Sequence, residues 1–145
     1  MGDLWHSNIM VSTCQQPFRL FILDWDLART GLAGAEVGLF CAAMNFVIRG
    51  TKAASEPASM VLQSFIHAYS RVSNRDTRLA QDTLLHWGSY FIFMAPRTDS
   101  LGDSDGEVIR GFVREGTKLL VHSQDKDFLA ESSVNVLLPK WIFHS

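Results

Sequence analysis

Two cysteines in 145 residues, Cys14 and Cys41, are too few for a disulfide framework, and their separation fits no zinc-ligand spacing. Free thiols in a reducing compartment follow, so a cytoplasmic location is the expectation. Charge is scarce as well. Asp, Glu, Lys and Arg make up 19% of the chain, the formal net charge is −2, and no run of Lys or Arg exceeds two residues. A nucleic-acid binder needs a basic face, and this sequence has none. Long hydrophobic runs are also missing. The segment from Gly31 to Ile48 carries one charge, Glu36, but its apolar stretch is short of the ~20 residues that a bilayer requires. A buried helix is expected there, and no membrane partner. The first residues have neither the basic start nor the apolar centre of a secretory signal, and no Asn-x-Ser/Thr acceptor occurs.

What is present is apolar and aromatic. Apolar residues reach 47%, with ten Phe, four Trp and two Tyr, the composition of a globular chain with a filled core. The N-terminal part reads as a β-hairpin. Asn8-Ile9-Met10-Val11 and Phe18-Arg19-Leu20-Phe21-Ile22-Leu23 are apolar runs, separated by a polar stretch from Ser12 to Pro17. From Ala35 onward the periodicity is helical. A first helix covers about Ala35 to Ile48. Ser55-Glu56-Pro57 opens a second, with Ser55 as cap and Val61, Phe65, Ala68 and Val72 as its apolar stripe. Asp76 caps a third, with Leu79, Leu84, Trp87, Phe91 and Met94 inward, and Pro96 ends it. After a polar loop containing Asp99, Asp103 and Asp105, a fourth helix begins near Asp105 with Val108, Phe112, Leu119 and Val121 inward. The expected fold class is α+β: one domain over 1–145, a short hairpin within about 1–30 followed by a helical bundle over about 35–145.

The hairpin organises the chemistry-bearing residues. With its turn centred near Gln16, Met10 faces Ile22, Ile9 faces Leu23 and Asn8 faces Asp24. An amide oxygen and a carboxylate then stand side by side at the open end, and Asp3 lies five residues before Asn8. Asp, four residues, Asn, and a second Asp after the next strand is the catalytic layout of protein-kinase-like phosphotransferases. Phosphoryl transfer requires a positioned hydroxyl and neutralised phosphate charge. A carboxylate such as Asp3 can orient the hydroxyl and accept its proton. Asn8 and Asp24 offer the hard oxygen ligands that Mg²⁺ prefers.

Over Gly2-Asp3-Leu4-Trp5-His6-Ser7-Asn8-Ile9-Met10-Val11, then Ile22-Leu23-Asp24-Trp25-Asp26, the chain resembles the aminoglycoside phosphotransferase and choline-kinase-like family. The likeness runs on through Gly31 and Gly34 to Glu36-Val37-Gly38-Leu39-Phe40. Met1 stands where the family usually has His, Trp5 where His is commoner, and Glu36 where Asp is usual. The resemblance implies the C-terminal lobe of a protein-kinase-like fold, without the N-terminal nucleotide-binding lobe. It implies Asp3 as catalytic base and Asn8 and Asp24 as metal ligands. The cofactors would be Mg²⁺ and ATP, and the reaction ATP-dependent phosphoryl transfer to a hydroxyl of a small metabolite. Asp99, Asp103 and Asp105 would then meet a cationic acceptor, although a solvated loop is the simpler reading. A non-catalytic remnant or pseudokinase acting as a binding module is the alternative. Whether this chain is an enzyme by itself stays open, with little activity expected alone and self-association expected through apolar surface beside the hairpin.

Overall fold

A computed structural model describes residues 1–14, 16–97 and 106–139. Its elements are β1 (Ile9–Ser12), β2 (Arg19–Ile22), α1 (Ala33–Gly50), α2 (Ser55–Val72), α3 (Thr77–Met94), α4 (Glu107–His122) and α5 (Lys126–Glu131). Single turns of 3₁₀ helix cover His6–Asn8, Lys52–Ala54, Ala95–Arg97 and Asn135–Leu137. The class is α+β: a two-stranded antiparallel hairpin followed by a mostly helical body.

The ribbon pairs Ile9 with Ile22, Met10 with Phe21, Val11 with Leu20 and Ser12 with Arg19. This register is one residue away from the expected one. Ser12 belongs to β1 and Phe18 lies outside β2, so the connection begins later and ends later than the polar letters indicate. A slip of one residue exchanges the two faces of a strand. Its local consequence is that Asn8 meets Leu23, whose N–H donates to the Asn8 carbonyl at 2.9 Å, and Asp24 stands one residue further on.

The helical body is organised around α3, which packs against α1 on one side and α4 on the other, while α2 covers α1. Asp76 caps α3 as expected, its carboxylate accepting from the Arg78 N–H at 3.0 Å, and Leu79, Leu84, Trp87 and Phe91 are buried. Met94 is half-buried at the helix end, before the turn that contains Pro96. Asp125 caps α5 by accepting from the N–H groups of Asp127 and Phe128. The aromatic centre is a cluster in which Phe46 stacks on Phe112 at 4.5 Å and Phe91 meets Phe112 edge-on at 4.9 Å. The Arg49 guanidinium lies 4.6 Å above the Phe112 ring and is ion-paired with Glu115, which joins α1 to α4.

Three expectations about helix faces and caps are corrected. On α2, Ala58, Leu62, Ile66 and Ser70 are buried, whereas Val61 and Val72 are exposed. The helix carries two adjacent apolar rows, and α1 covers the row one position later than the expected one. Ser55 is not a cap but the first residue of α2, where its carbonyl accepts from the Ser59 hydroxyl. On α4, Phe112 and Leu119 are buried as expected, but Val108 and Val121 are exposed. Gly116 completes the inward row, because its missing side chain lets α4 press against α3 at Gly88. The expected acidic loop, Asp99, Asp103 and Asp105, lies outside the described residues.

Candidate functional site

The segment before β1 is held in a tight loop by its own short-range bonds. The 3₁₀ turn His6–Asn8 is closed by the Asn8 N–H donating to the Trp5 carbonyl at 3.1 Å. That turn swings the Asn8 side chain back over the residues preceding it. Its Nδ2 donates to the Asp3 carboxylate Oδ2 at 3.1 Å and to the Asp3 main-chain carbonyl at 3.0 Å. Asn8 is buried, so these bonds satisfy an amide that would otherwise be costly to remove from water. Asp3 and Asn8, five residues apart in sequence, are therefore in direct contact.

Glu36 anchors the same loop from the helical body. It lies in the first turn of α1, where the helix dipole favours a carboxylate, and its Oε1 accepts from the Gly2 N–H. Gly2 is in the left-handed region, with φ 101°, and a Cβ there would fall 2.3 Å from the Leu27 carbonyl oxygen. Only glycine fits. From sequence, Glu36 reads most simply as a residue suited to a helix start; its tie to Gly2 needs the fold, because 34 residues separate them.

Asp24 takes up the position just past β2. It has φ 59°, the left-handed region that Asp and Asn tolerate better than most residues. The Trp25 indole Nε1 donates to the Ile22 carbonyl at 2.8 Å and closes the chain around it. Asp24 and Asp26 are both exposed. The contact expected between Asn8 and Asp24 is replaced by the Asn8–Leu23 pair. Even so, Asp24 remains next to that pair, at the open end of the ribbon.

These residues suit Mg²⁺ in kind. With Nδ2 directed at Asp3, the remaining side-chain atom of Asn8 able to bind a cation is Oδ1, and Asp24 supplies an exposed carboxylate. A Mg²⁺ ion takes one or two such protein oxygens and completes its shell with phosphate oxygens and water. Among the described residues no group of three His, Cys, Asp or Glu side chains gathers around a common point, so an all-protein metal cage is not formed there.

Two cavities border the Asp3 loop. One, about 330 Å³, has Trp5, His6, Phe46, Thr51, Tyr90 and Met94 in its walls. The other, about 440 Å³, is bounded by Gly2, Arg29, Glu36, His86 and Phe93, and again by Tyr90. Tyr90 stands between them. Burial pushes its hydroxyl above the usual phenol range, and the negative charge of Asp3 adds to the effect. Burial also lowers His6, which keeps the imidazole neutral near neutral pH. Sequence reasoning places Tyr90 in an aromatic run serving the core; only its half-buried position in α3 distinguishes it from its neighbours Trp87 and Phe91.

Comparison with family models, with curated proteins and with solved structures returns no match to this chain. Among the described residues no helix is long and apolar enough to cross a membrane.

Proposed function

We propose that residues 2 to 24 form the catalytic loop and metal-holding ribbon of a small-molecule kinase, similar to the aminoglycoside phosphotransferase and choline-kinase-like family. The observation that carries the reading is the Asn8–Asp3 bond. It fixes the carboxylate that would orient an acceptor hydroxyl, and it leaves the amide oxygen of the same side chain as the atom that would face a cation. The tie from Glu36 to Gly2 supports it further, since an anchored loop holds Asp3 at a set distance from the helical body. In this reading Asp3 is the base, Asn8 and Asp24 hold Mg²⁺, and ATP is the donor. Bound Mg²⁺ would offset phosphate charge. The acceptor is a small hydroxyl compound, and the setting is a reducing cytoplasm, in keeping with the free thiols of Cys14 and Cys41.

The hairpin register favours one second reading. Because Leu23, not Asp24, stands opposite Asn8, the two oxygen donors are offset along the ribbon, as they would be in a binding module that no longer transfers phosphate. Calorimetric titration with Mg²⁺-ATP, run beside an Asp24→Ala variant, separates the two. Binding that disappears in the variant is expected for the kinase reading. Equal heats in both proteins, or none in either, would overturn it.

A further inference from the structure

We propose that the cavity bounded by Asn45, Ser59, Leu62, Ile66, Trp87 and Glu115 is a binding site for a small primary carboxamide carried on a single apolar ring. This cavity is separate from the two beside the Asp3 loop, and the proposal does not depend on the phosphotransferase reading.

The first observation is an unsatisfied donor. Trp87 lies in α3, is 6% exposed, and forms part of the cavity wall. Its indole Nε1 is buried and has no acceptor among the described residues. An indole N–H can only donate, and a buried donor without a partner forfeits the hydrogen bond that it makes to water in the unfolded chain. Buried tryptophans usually find such a partner. A carbonyl oxygen seated against the indole would supply one.

The second observation is that the polar groups nearby have already placed their own protons. Asn45 Nδ2 donates to the Cys41 carbonyl at 3.0 Å, which leaves the amide oxygen as an acceptor. The Ser59 hydroxyl donates to the Ser55 carbonyl at 2.9 Å, so its oxygen also meets a ligand as an acceptor. The Glu115 carboxylate is paired with Arg49 through Oε2, and Oε1 remains. Three acceptors therefore share the wall with one donor. A primary carboxamide carries the complement on one carbon: a carbonyl oxygen for the indole, and two N–H groups for the oxygens. An ester would serve Trp87 and leave those oxygens without a donor. An ammonium ion would serve the oxygens and leave Trp87 unpaired. Gln63, His67 and Ser133, on the exposed rim, complete the polar edge.

The apolar part of the wall gives the rest of the ligand. Leu62 and Ile66 of α2, Ile48 of α1 and the Trp87 ring offer surface for a flat apolar body. The volume, about 370 Å³, is near the small end of ligand pockets and suits one ring with one polar substituent.

The test titrates the whole chain by calorimetry with three probes of one shape. Benzamide has the carbonyl and the N–H groups, methyl benzoate has the carbonyl alone, and benzylamine, protonated at neutral pH, has N–H groups alone. Wild type should bind benzamide saturably and the other two about tenfold more weakly, one hydrogen-bonding set being lost in each. Trp87→Phe keeps a ring but removes the donor, and should weaken benzamide by about tenfold. Ser133→Phe narrows the cavity from an exposed rim position and should weaken benzamide at least as much, with the melting temperature unchanged. This second variant keeps the test decisive if the first one does not fold. Absence of saturable benzamide binding would show a cavity that holds water alone and would overturn the proposal. Equal or tighter binding of methyl benzoate or benzylamine would also overturn it, as would full benzamide affinity in folded Trp87→Phe or in Ser133→Phe.

Discussion

The Asn8 side-chain amide donates twice to Asp3, to its carboxylate at 3.1 Å and to its main-chain carbonyl at 3.0 Å, so one buried residue fixes both the position and the rotamer of its neighbour. Asn8→Ala removes both bonds and is expected to cost about 1–3 kcal/mol. Asn8→Asp keeps the shape but sets a second carboxylate against the first. Repulsion between two ionised groups is relieved when either is protonated, so the deficit of Asn8→Asp relative to wild type should shrink from pH 7 to pH 4. Thermal melting across that range is the check. A deficit that is constant with pH would show that the two side chains do not meet.

A reciprocal contact of comparable tightness joins α3 to α4. A Cβ at Gly88 would lie 2.6 Å from the Gly116 carbonyl oxygen, and one at Gly116 would lie 2.7 Å from that of Gly88. Both obstacles are backbone atoms and cannot rotate aside. Gly116→Ala should therefore destabilise by about 1–3 kcal/mol despite the better helix propensity of Ala. Gly111, on the same helix with open space around it, is the control: Gly111→Ala should stabilise by up to about 1 kcal/mol. Denaturant midpoints of the two variants should move in opposite directions.

These contacts show where the sequence is legible and where it is not. Asp76 could be placed as a cap because its role involves only the next few residues, although the same local reading of Ser55 did not hold. The α2 face could not be placed in the same way. Val61 and Leu62, and likewise Phe65 and Ile66, are adjacent apolar residues, so two stripes of similar strength run side by side. Burial of Leu62 and Ile66 is decided by α1, which periodicity does not see. The inward row of α4 is hidden for a related reason, since Gly116 has no side chain to register as apolar. At the site, the spacing of Asp3, Asn8 and Asp24 could be read from sequence, but it pointed to a pair of Asn8 with Asp24, not to the bonds from Asn8 to Asp3. The tie from Glu36 to Gly2 and the place of Tyr90 beside Asp3 depend on how α1 and α3 pack, and neither leaves a mark in the spacing of the letters.

The two cysteines should differ sharply in reactivity. Cys41 is fully buried in α1, and burial pushes its thiol well above the usual range, whereas Cys14 is exposed next to the ribbon. Maleimide treatment of the native chain should add one label, at Cys14, and two after unfolding. The same burial links stability to pH. The folded chain keeps the Cys41 proton, and the Tyr90 proton, where the unfolded chain releases them. Their stabilising effect is complete below the ordinary thiol range near ~8.5 and is lost as pH rises beyond it. Melting temperature should fall from pH 8 to pH 10, and less steeply in Cys41→Ala when each protein is referred to its own value at pH 7. Identical slopes would contradict the assignment.

The ribbon itself leads to the last expectation. All four residues of β2 are exposed, so the strand is covered on neither face, and Leu20 is 69% exposed. Met10 and Val11 of β1 are also open, as are Phe18, Trp25 and Leu27 around it. A two-stranded ribbon has little stability of its own in water, and contiguous apolar patches beyond a few hundred Å² are uncommon on monomers. A second copy of the chain is one surface that can cover this patch, and edge-to-edge strand pairing supplies the backbone bonds to do so. Sedimentation or size-exclusion analysis should show association that grows with protein concentration. Leu20→Lys adds a charge to the most exposed apolar residue of β2 without opening the core. It should shift the chain toward monomer and leave the melting temperature within a few degrees. A wild-type chain that stays monomeric as its concentration is raised would show that the ribbon is tolerated in water uncovered, and the apolar residues of β2 would then need another explanation.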